Sequence, residues 1–297
     1  MRREHSLKDW IIATRPWSFP ASVMPVLVTL GYFLWRGYCI DWGIGILTVV
    51  DIVLFHAAGN TWSDYFDYTS GIDEKSDYSV RTLVDALFSP KQIMCMAIIL
   101  LVVSVVLGLL LLWLTTWKLL LFGIGGALCV ILYPLLKYKA MGDVVIAISY
   151  GILPTLGMSV VISGSVDFNA LFVAVPVGMI TIAILHANNI RDMFTDEQAK
   201  IVTVAMKLGM KKSVRLQMFW LIAPFIFIVV CVISGIFPSV SLVCLIALVP
   251  ALAQCRQLCR YKFENVREIC NLDQRAAQLQ LMFSLLLFIS FIADCYL

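Results

Sequence analysis

The sequence predicts an all-α fold, a multi-pass transmembrane helix bundle, on three observations. Of the 297 residues 61% are hydrophobic and only 14% charged, and the mean hydropathy of +0.92 lies outside the range of water-soluble domains. The apolar residues come in runs of about 18 to 25, the length that crosses a hydrocarbon core as a helix. Almost all Lys and Arg residues fall between these runs or at their ends. Lipid offers the backbone no hydrogen-bond partner, so such runs must close their bonds internally, as helices.

Nine runs can be read in order. The first, 17–35, holds Pro20 and Pro25 and is followed by no small-residue cleavage pattern, so it is expected to be a retained span and not a signal peptide. The second, 42–62, ends in polar residues, and Gly71 is placed to break the helix beyond them. Ser89 and Pro90 form an N-cap and first-turn pair for the third, 91–114. The fourth, fifth and sixth cover 118–136, 143–163 and 168–188. The seventh, 215–237, and eighth, 238–255, are nearly contiguous, with Gly235 and Pro238 supplying the reversal. The ninth is 277–297. Similar polar residues close the second and sixth runs, which suggests two four-helix units plus a ninth helix. The whole chain, 1–297, is expected to be one membrane domain, with its longest polar stretches at about 63–90, 189–214 and 256–276.

Nine spans place 20 of the 22 Lys and Arg residues on one side and leave Arg36 and Lys118 on the other. By the positive-inside rule the N-terminus and the loops after spans 2, 4, 6 and 8 lie in the cytoplasm and the C-terminus lies outside, in a cell inner (cytoplasmic) membrane. A net charge of +3 calls for no nucleic-acid partner. The nine cysteines are scattered; the closest pair, Cys255 and Cys259, lacks CxxC spacing, so they are expected to be small buried hydrophobes.

Carboxylates are expensive near hydrocarbon, yet two clusters sit where helices leave the apolar region. Asn60, Asp64 and Asp67 fall at i, i+4 and i+7, one helical stripe carrying one neutral and two anionic oxygen donors. Asn188, Asn189, Asp192 and Asp196 repeat the spacing at the end of the sixth run, with Arg191 among them to neutralise phosphate. Mg2+ takes one or two protein carboxylates and completes its shell with water and phosphate oxygens. Two such half-sites therefore suit a Mg-bound diphosphate, with Arg15, Arg81, Lys137, Lys139, Arg191 and Lys75 as the cytoplasmic cations. A diphosphate on a hydrocarbon tail fits the location, the head seeking the metal site and the tail the bilayer. Trp62, Tyr65, Phe66, Tyr68 and Tyr133 offer ring faces to an allylic cation.

The pattern Asn60-x-x-x-Asp64-x-x-Asp67 with Gly71-x-Asp73, then Arg81-Thr-Leu-Val and Ser89-Pro90, then Asn188-Asn-x-Arg-Asp192-x-x-x-Asp196, resembles the UbiA superfamily of membrane prenyltransferases, and more narrowly its menaquinone branch. Arg15-Pro16, Ala21-Ser22-Val23-x-Pro25, Tyr133-Pro134 to Gly142-Asp143 and Gly151-x-x-Pro154-x-x-Gly157 extend the likeness over about residues 9 to 210. Ser63, Lys200 and Asp51 depart from it. The resemblance implies Mg-dependent transfer of a polyprenyl group from polyprenyl diphosphate to an aromatic acid, 1,4-dihydroxy-2-naphthoate, with loss of CO2. It implies that Asn60, Asp64, Asp67, Asp192 and Asp196 hold Mg2+ and diphosphate, with those four aspartates catalytic. Arg15, Arg81, Lys137, Lys139 and Arg191 would contact diphosphate or acceptor, and Asn188 and Asn189 belong to the substrate-binding set. Another acceptor such as 4-hydroxybenzoate changes the substrate but not the mechanism.

His56 and His186 occupy similar places one turn before an Asn, where an interhelical hydrogen bond and a proton-transfer role compete. Asp51 is either a functional intramembrane acid, a partner of His56, or a residue near the outer part of its span. An ion-coupled transporter is the rival from another class, but carriers place coupling residues near the midplane, and both clusters here lie at span ends.

Overall fold

The computed structural model describes residues 5–71, 82–198, 201–261 and 266–297. Among them, nine helices are long and apolar enough to cross a membrane: Pro16–Trp35, Trp42–Thr69, Pro90–Leu114, Leu119–Lys137, Gly142–Ser163, Phe168–Arg191, Met210–Ile233, Ser239–Arg260 and Arg267–Asp294. The chain is a multi-pass membrane protein with no β-strand among the described residues; one isolated bridge joins Lys139 to Val202.

Local chemistry sets the ends. Asp41 caps the second span through Ile44 N–H. Ser89 and Gln92 cap the third reciprocally, with Pro90 in the first turn. The seventh ends at Ile233, where Gly235 (φ +70°) takes the left-handed conformation that turns the chain toward Pro238.

Several boundaries move, and the eighth span runs on to Arg260. The second span runs to Thr69, seven residues past its apolar part, because polar side chains that face a cavity do not interrupt a helix; Gly71 (φ +69°) follows the end. The seventh starts at Met210 rather than 215, and the ninth is helical well before 277, its polar first turns being held by partners on other helices. The cysteines also differ from expectation: Cys231 and Cys244 are buried, but Cys39, Cys95, Cys259 and Cys295 are exposed, and all nine are free.

The core lies on one side of the bundle, between spans 1, 6, 7, 8 and 9. Tyr32, Phe237 and Phe291 meet there edge to face. Gly31 lets the first and ninth spans touch, since a Cβ at that position would sit 2.7 Å from Phe288 Cδ2. Trp35 Nε1 donates to Asp294 Oδ2 at 2.9 Å near the other end of the same contact. Spans 3 and 4 are the least covered, and residues such as Trp113 and Leu121 turn outward as lipid-facing surface. In the fifth span a π-helical stretch, Ala147–Ile152, precedes Pro154; the extra residue rotates the helix face and brings Ser149 and Tyr150 to the interior cavity.

Candidate active site

A cavity of about 530 Å³ is lined by residues of the first six spans and, among the described residues, by none of the last three. At its polar end stand Arg15, Asn60, Ser63, Asp67, Lys137 and Asn188; its far end is walled by Leu109, Leu112, Leu119 and Ile124. Residues of both sequence clusters thus reach one chamber with a charged mouth and an apolar interior.

The first cluster is held by a network the sequence did not disclose. Asn60 Nδ2 donates to Thr14 O at 2.9 Å and to Ser18 Oγ at 3.0 Å, so both amide hydrogens are used and Oδ1 is the group left to accept a cation. Ser18 Oγ donates to Arg15 O at 2.8 Å and lies 3.2 Å from His56 Nε2, while Ser22 Oγ lies 2.9 Å from Nδ1. The tautomer with its proton on Nε2 satisfies this whole chain: Ser18 accepts from Asn60 and His56 and donates once. Tyr150, delivered by the π-helical stretch, packs its ring edge to face on His56 at 4.9 Å.

Asp64 is buried at 3% exposure, with Arg15 pairing to one oxygen and Thr82 Oγ1 donating to the other at 3.2 Å. Arg15 itself has φ +57°, a left-handed conformation costing an L-residue about 1–2 kcal/mol; such strain is characteristic of functional positions. Asp67 accepts from Lys137 Nζ at 2.5 Å and Ser63 Oγ at 3.3 Å on one oxygen, and from Tyr138 Oη on the other. Lys137 lies over the rings of Tyr133 and Tyr138, 5.5 and 5.0 Å from their centroids.

The second cluster is arranged differently. Asn188 lines the cavity, but Asn189 turns to Asp143 Oδ1 at 3.4 Å. Arg191 grips Asp192 with both prongs, Nε to Oδ1 at 2.7 Å and Nη2 to Oδ2 at 2.8 Å, and reaches Asp273 of the ninth span with Nη1 at 2.8 Å. Asp196 lies half-buried on the short helix Met193–Gln198. Lys139 is exposed and away from the cavity lining, and Arg81, Lys75 and Asp73 lie outside the described residues. The structure therefore collects Arg15, Asn60, Asp67, Lys137 and Asn188, with Asp64 joined to them through Arg15. Asn189, Arg191, Asp192, Asp196 and Lys139 are not on that wall.

The two histidines both make interhelical hydrogen bonds. His186 bridges Asp143 Oδ2 and Ser213 O, each at 3.2 Å. Asp51 does not pair with His56; its Oδ1 accepts from Ser104 Oγ at 2.5 Å. Ser18, Thr82, Tyr138 and Asp273 were missed in the sequence. For Tyr138 a signal existed, its place between Lys137 and Lys139, and Thr82 stands in the Arg81-Thr-Leu-Val segment; Ser18 and Asp273 have none in the local pattern.

The donor set suits Mg2+. Both clusters offer carboxylate and amide oxygens, the hard ligands this ion prefers. Among the described residues no group of three or more His, Cys, Asp or Glu side chains is close enough to hold a metal by itself.

Residues 22–268 match the sequence profile of the UbiA prenyltransferase family. UbiA prenyltransferase domain-containing protein 1 of Gallus gallus is 33% identical over 93% of this chain and 82% of its own length, and that of Danio rerio 37% over 73% and 66%; the zebrafish alignment thus takes in just under two thirds of that protein. Among solved structures, a UbiA homolog from Archaeoglobus fulgidus bound to GPP and Mg2+ superposes with a TM-score of 0.69 at 14% identity, covering 97% of this chain and all of the other. A digeranylgeranylglyceryl phosphate synthase gives 0.65 at 20%, over 97% and 99%. At these identities the likeness establishes the fold.

Proposed function

This chain belongs to the UbiA prenyltransferase family, and we propose that its 297 residues work as one enzyme unit that moves a polyprenyl group from polyprenyl diphosphate to an aromatic acid, 1,4-dihydroxy-2-naphthoate, with loss of CO2. The single observation that carries this reading is the chamber shared by Asn60, Asp67 and Asn188, charged at one end and apolar along the rest. The polar ends of spans 2 and 6 then face the cytoplasm, by the distribution of basic residues.

Asn60 and Asp67 of the chamber wall would hold Mg2+, with Asp64, Asp192 and Asp196 joining them by turning from the positions they occupy in this structure; Mg2+ when bound would neutralise the diphosphate and stabilise charge on it as the allylic C–O bond breaks. Asn60 would be a pre-oriented ligand, since its amide hydrogens are tied to Thr14 O and Ser18 Oγ and Oδ1 is the atom left to accept. Arg15 and Lys137, paired to Asp64 and Asp67, bring positive charge to the donor's head and to an anionic acceptor. Tyr133 and Tyr150 line the chamber beside this mouth and present ring faces to the allylic cation. The apolar wall keeps water from that cation. The acceptor carbon bearing the carboxylate takes the prenyl group, and the electrons of the C–CO2 bond return to the ring as CO2 departs.

The test is purified protein given Mg2+, a polyprenyl diphosphate and 1,4-dihydroxy-2-naphthoate. Pyrophosphate and CO2 should appear in equal amounts, and EDTA, Asp64→Ala, Asp67→Ala and Asp192→Ala should each stop their release. Product formed at unchanged rate under EDTA would defeat the mechanism, and transfer to 4-hydroxybenzoate alone would reassign the acceptor.

A further inference from the structure

Asp51 opens its carboxyl into the same chamber, far from the charged mouth. It sits in the second span and lines the cavity with Ser104, Gly108 and Leu109 of the third. Oδ1 is taken by Ser104. Oδ2 faces the gap over Gly108, where an added Cβ would come within 3.6 Å of it. Apart from Ser104 and Thr48 the neighbouring lining is apolar, and the cavity continues past this level to Thr48 and Leu112, so length alone does not stop a tail at Asp51.

The position along the helix converts into tail length. Asp51 lies nine residues before Asn60 and 16 before Asp67, which at 1.5 Å per residue is about 13 and about 24 Å. Three extended backbone bonds cover roughly 3.3–3.6 Å, so a four-bond isoprene unit covers about 4.5 Å on the same scale. Asp51 therefore meets a donor's tail between about its third and fifth units. Resting on the proposed prenyl-donor reading of the cavity, we infer that Asp51 is a specificity-determining residue that narrows the proposed donor to its shorter members, discriminating against prenyl donors long enough to lie alongside it. A tail that ends earlier leaves Oδ2 able to meet water. A longer one covers it with methyl and methylene groups that accept no hydrogen bond, and an oxygen buried without a partner is costly.

The competing explanation is structural: Asp51 and Ser104 simply tie two helices together by an interhelical hydrogen bond. The two separate by experiment. Steady-state transfer is measured with geranyl diphosphate (two units) and hexaprenyl diphosphate (six units) for the wild type, Asp51→Leu, Asp51→Asn and Ser104→Ala. The wild type should favour the two-unit donor by roughly tenfold or more in kcat/KM, the scale of stranding a buried polar oxygen, with the difference residing in KM. Asp51→Leu should raise the long-to-short ratio about tenfold, Asp51→Asn less, and Ser104→Ala, which keeps the acid, should leave the preference for the short donor in place. A structural tie predicts equal stability losses in Asp51→Leu and Ser104→Ala and an unmoved ratio. A ratio within twofold of wild type in both Asp51 variants would overturn the inference. Thermal stabilisation by the two diphosphates without acceptor gives a second readout. If no variant transfers prenyl groups to any acceptor, the proposed function fails; the tail site still stands if the long donor stabilises Asp51→Leu more than the wild type, and falls if it does not.

Discussion

Ser18 is small and carries no charge, yet its removal should be felt in metal dependence. Ser18→Ala deletes the oxygen that accepts from Asn60 Nδ2 at 3.0 Å and meets His56 Nε2 at 3.2 Å. Asn60 keeps only its bond to Thr14 O. One neutral hydrogen bond contributes about 1 kcal/mol net, and 1.4 kcal/mol is tenfold in an equilibrium. The amide thus loses about fivefold of its preference for presenting Oδ1 to the cavity, and the Mg2+ concentration giving half-maximal prenyl transfer should rise about fivefold. His56, 7% exposed, is left with an unmet N–H, which lowers stability by about 1–3 kcal/mol. Ser18→Thr retains the hydroxyl and should keep wild-type metal dependence. The measurement is a Mg2+ titration of initial rate, with thermal unfolding of each variant alongside. If half-saturation in Ser18→Ala stays within experimental error of wild type while Asn60→Ala shifts it, the orienting role is refuted.

Lys137→Ala removes the cation that pairs with Asp67 and should raise the donor KM about tenfold, on the order of one charge-assisted hydrogen bond; a KM equal to wild type would count against its contact with the diphosphate. Gly31→Val drives a branched side chain into Phe288 and should cost about 1–3 kcal/mol, lowering the melting temperature, whereas Gly123→Ala, which meets nothing within 4 Å, should not. Asp273→Asn takes one of two carboxylates from Arg191, whose side chain is 16% exposed, and should also lower the melting temperature; an unaltered melting curve would show the ninth-span contact to be idle.

The spans were legible because hydrocarbon leaves the chain few alternatives: length, apolarity and the breakers Gly71, Gly235 and Pro238 placed nine helices. Helical polar segments were less visible. Ser63 and Asp67 face the cavity and Asp64 answers Arg15, and the start of the ninth span is polar because Asp273 serves Arg191 and Arg275 donates to Gln257 Oε1. Periodicity showed that Asn60, Asp64 and Asp67 share a stripe, but Asp64 is withdrawn behind Arg15 and only Asn60 and Asp67 line the chamber. Of the two carboxylates that Arg191 holds, Asp192 is its neighbour in sequence, but Asp273 is 82 residues away, and no local pattern encodes a helix crossing.

Asp64 and Asp67 are answered by Arg15, Lys137 and Tyr138. Acids at this depth are compensated from within, so the bundle can be inserted and packed without waiting for an ion. On the proposed function, loading such a place would be a swap of counter-charges in the manner of an exchange resin: Asp64 and Asp67, in giving up Arg15 and Lys137, would leave a guanidinium and an ammonium for the donor's anionic head.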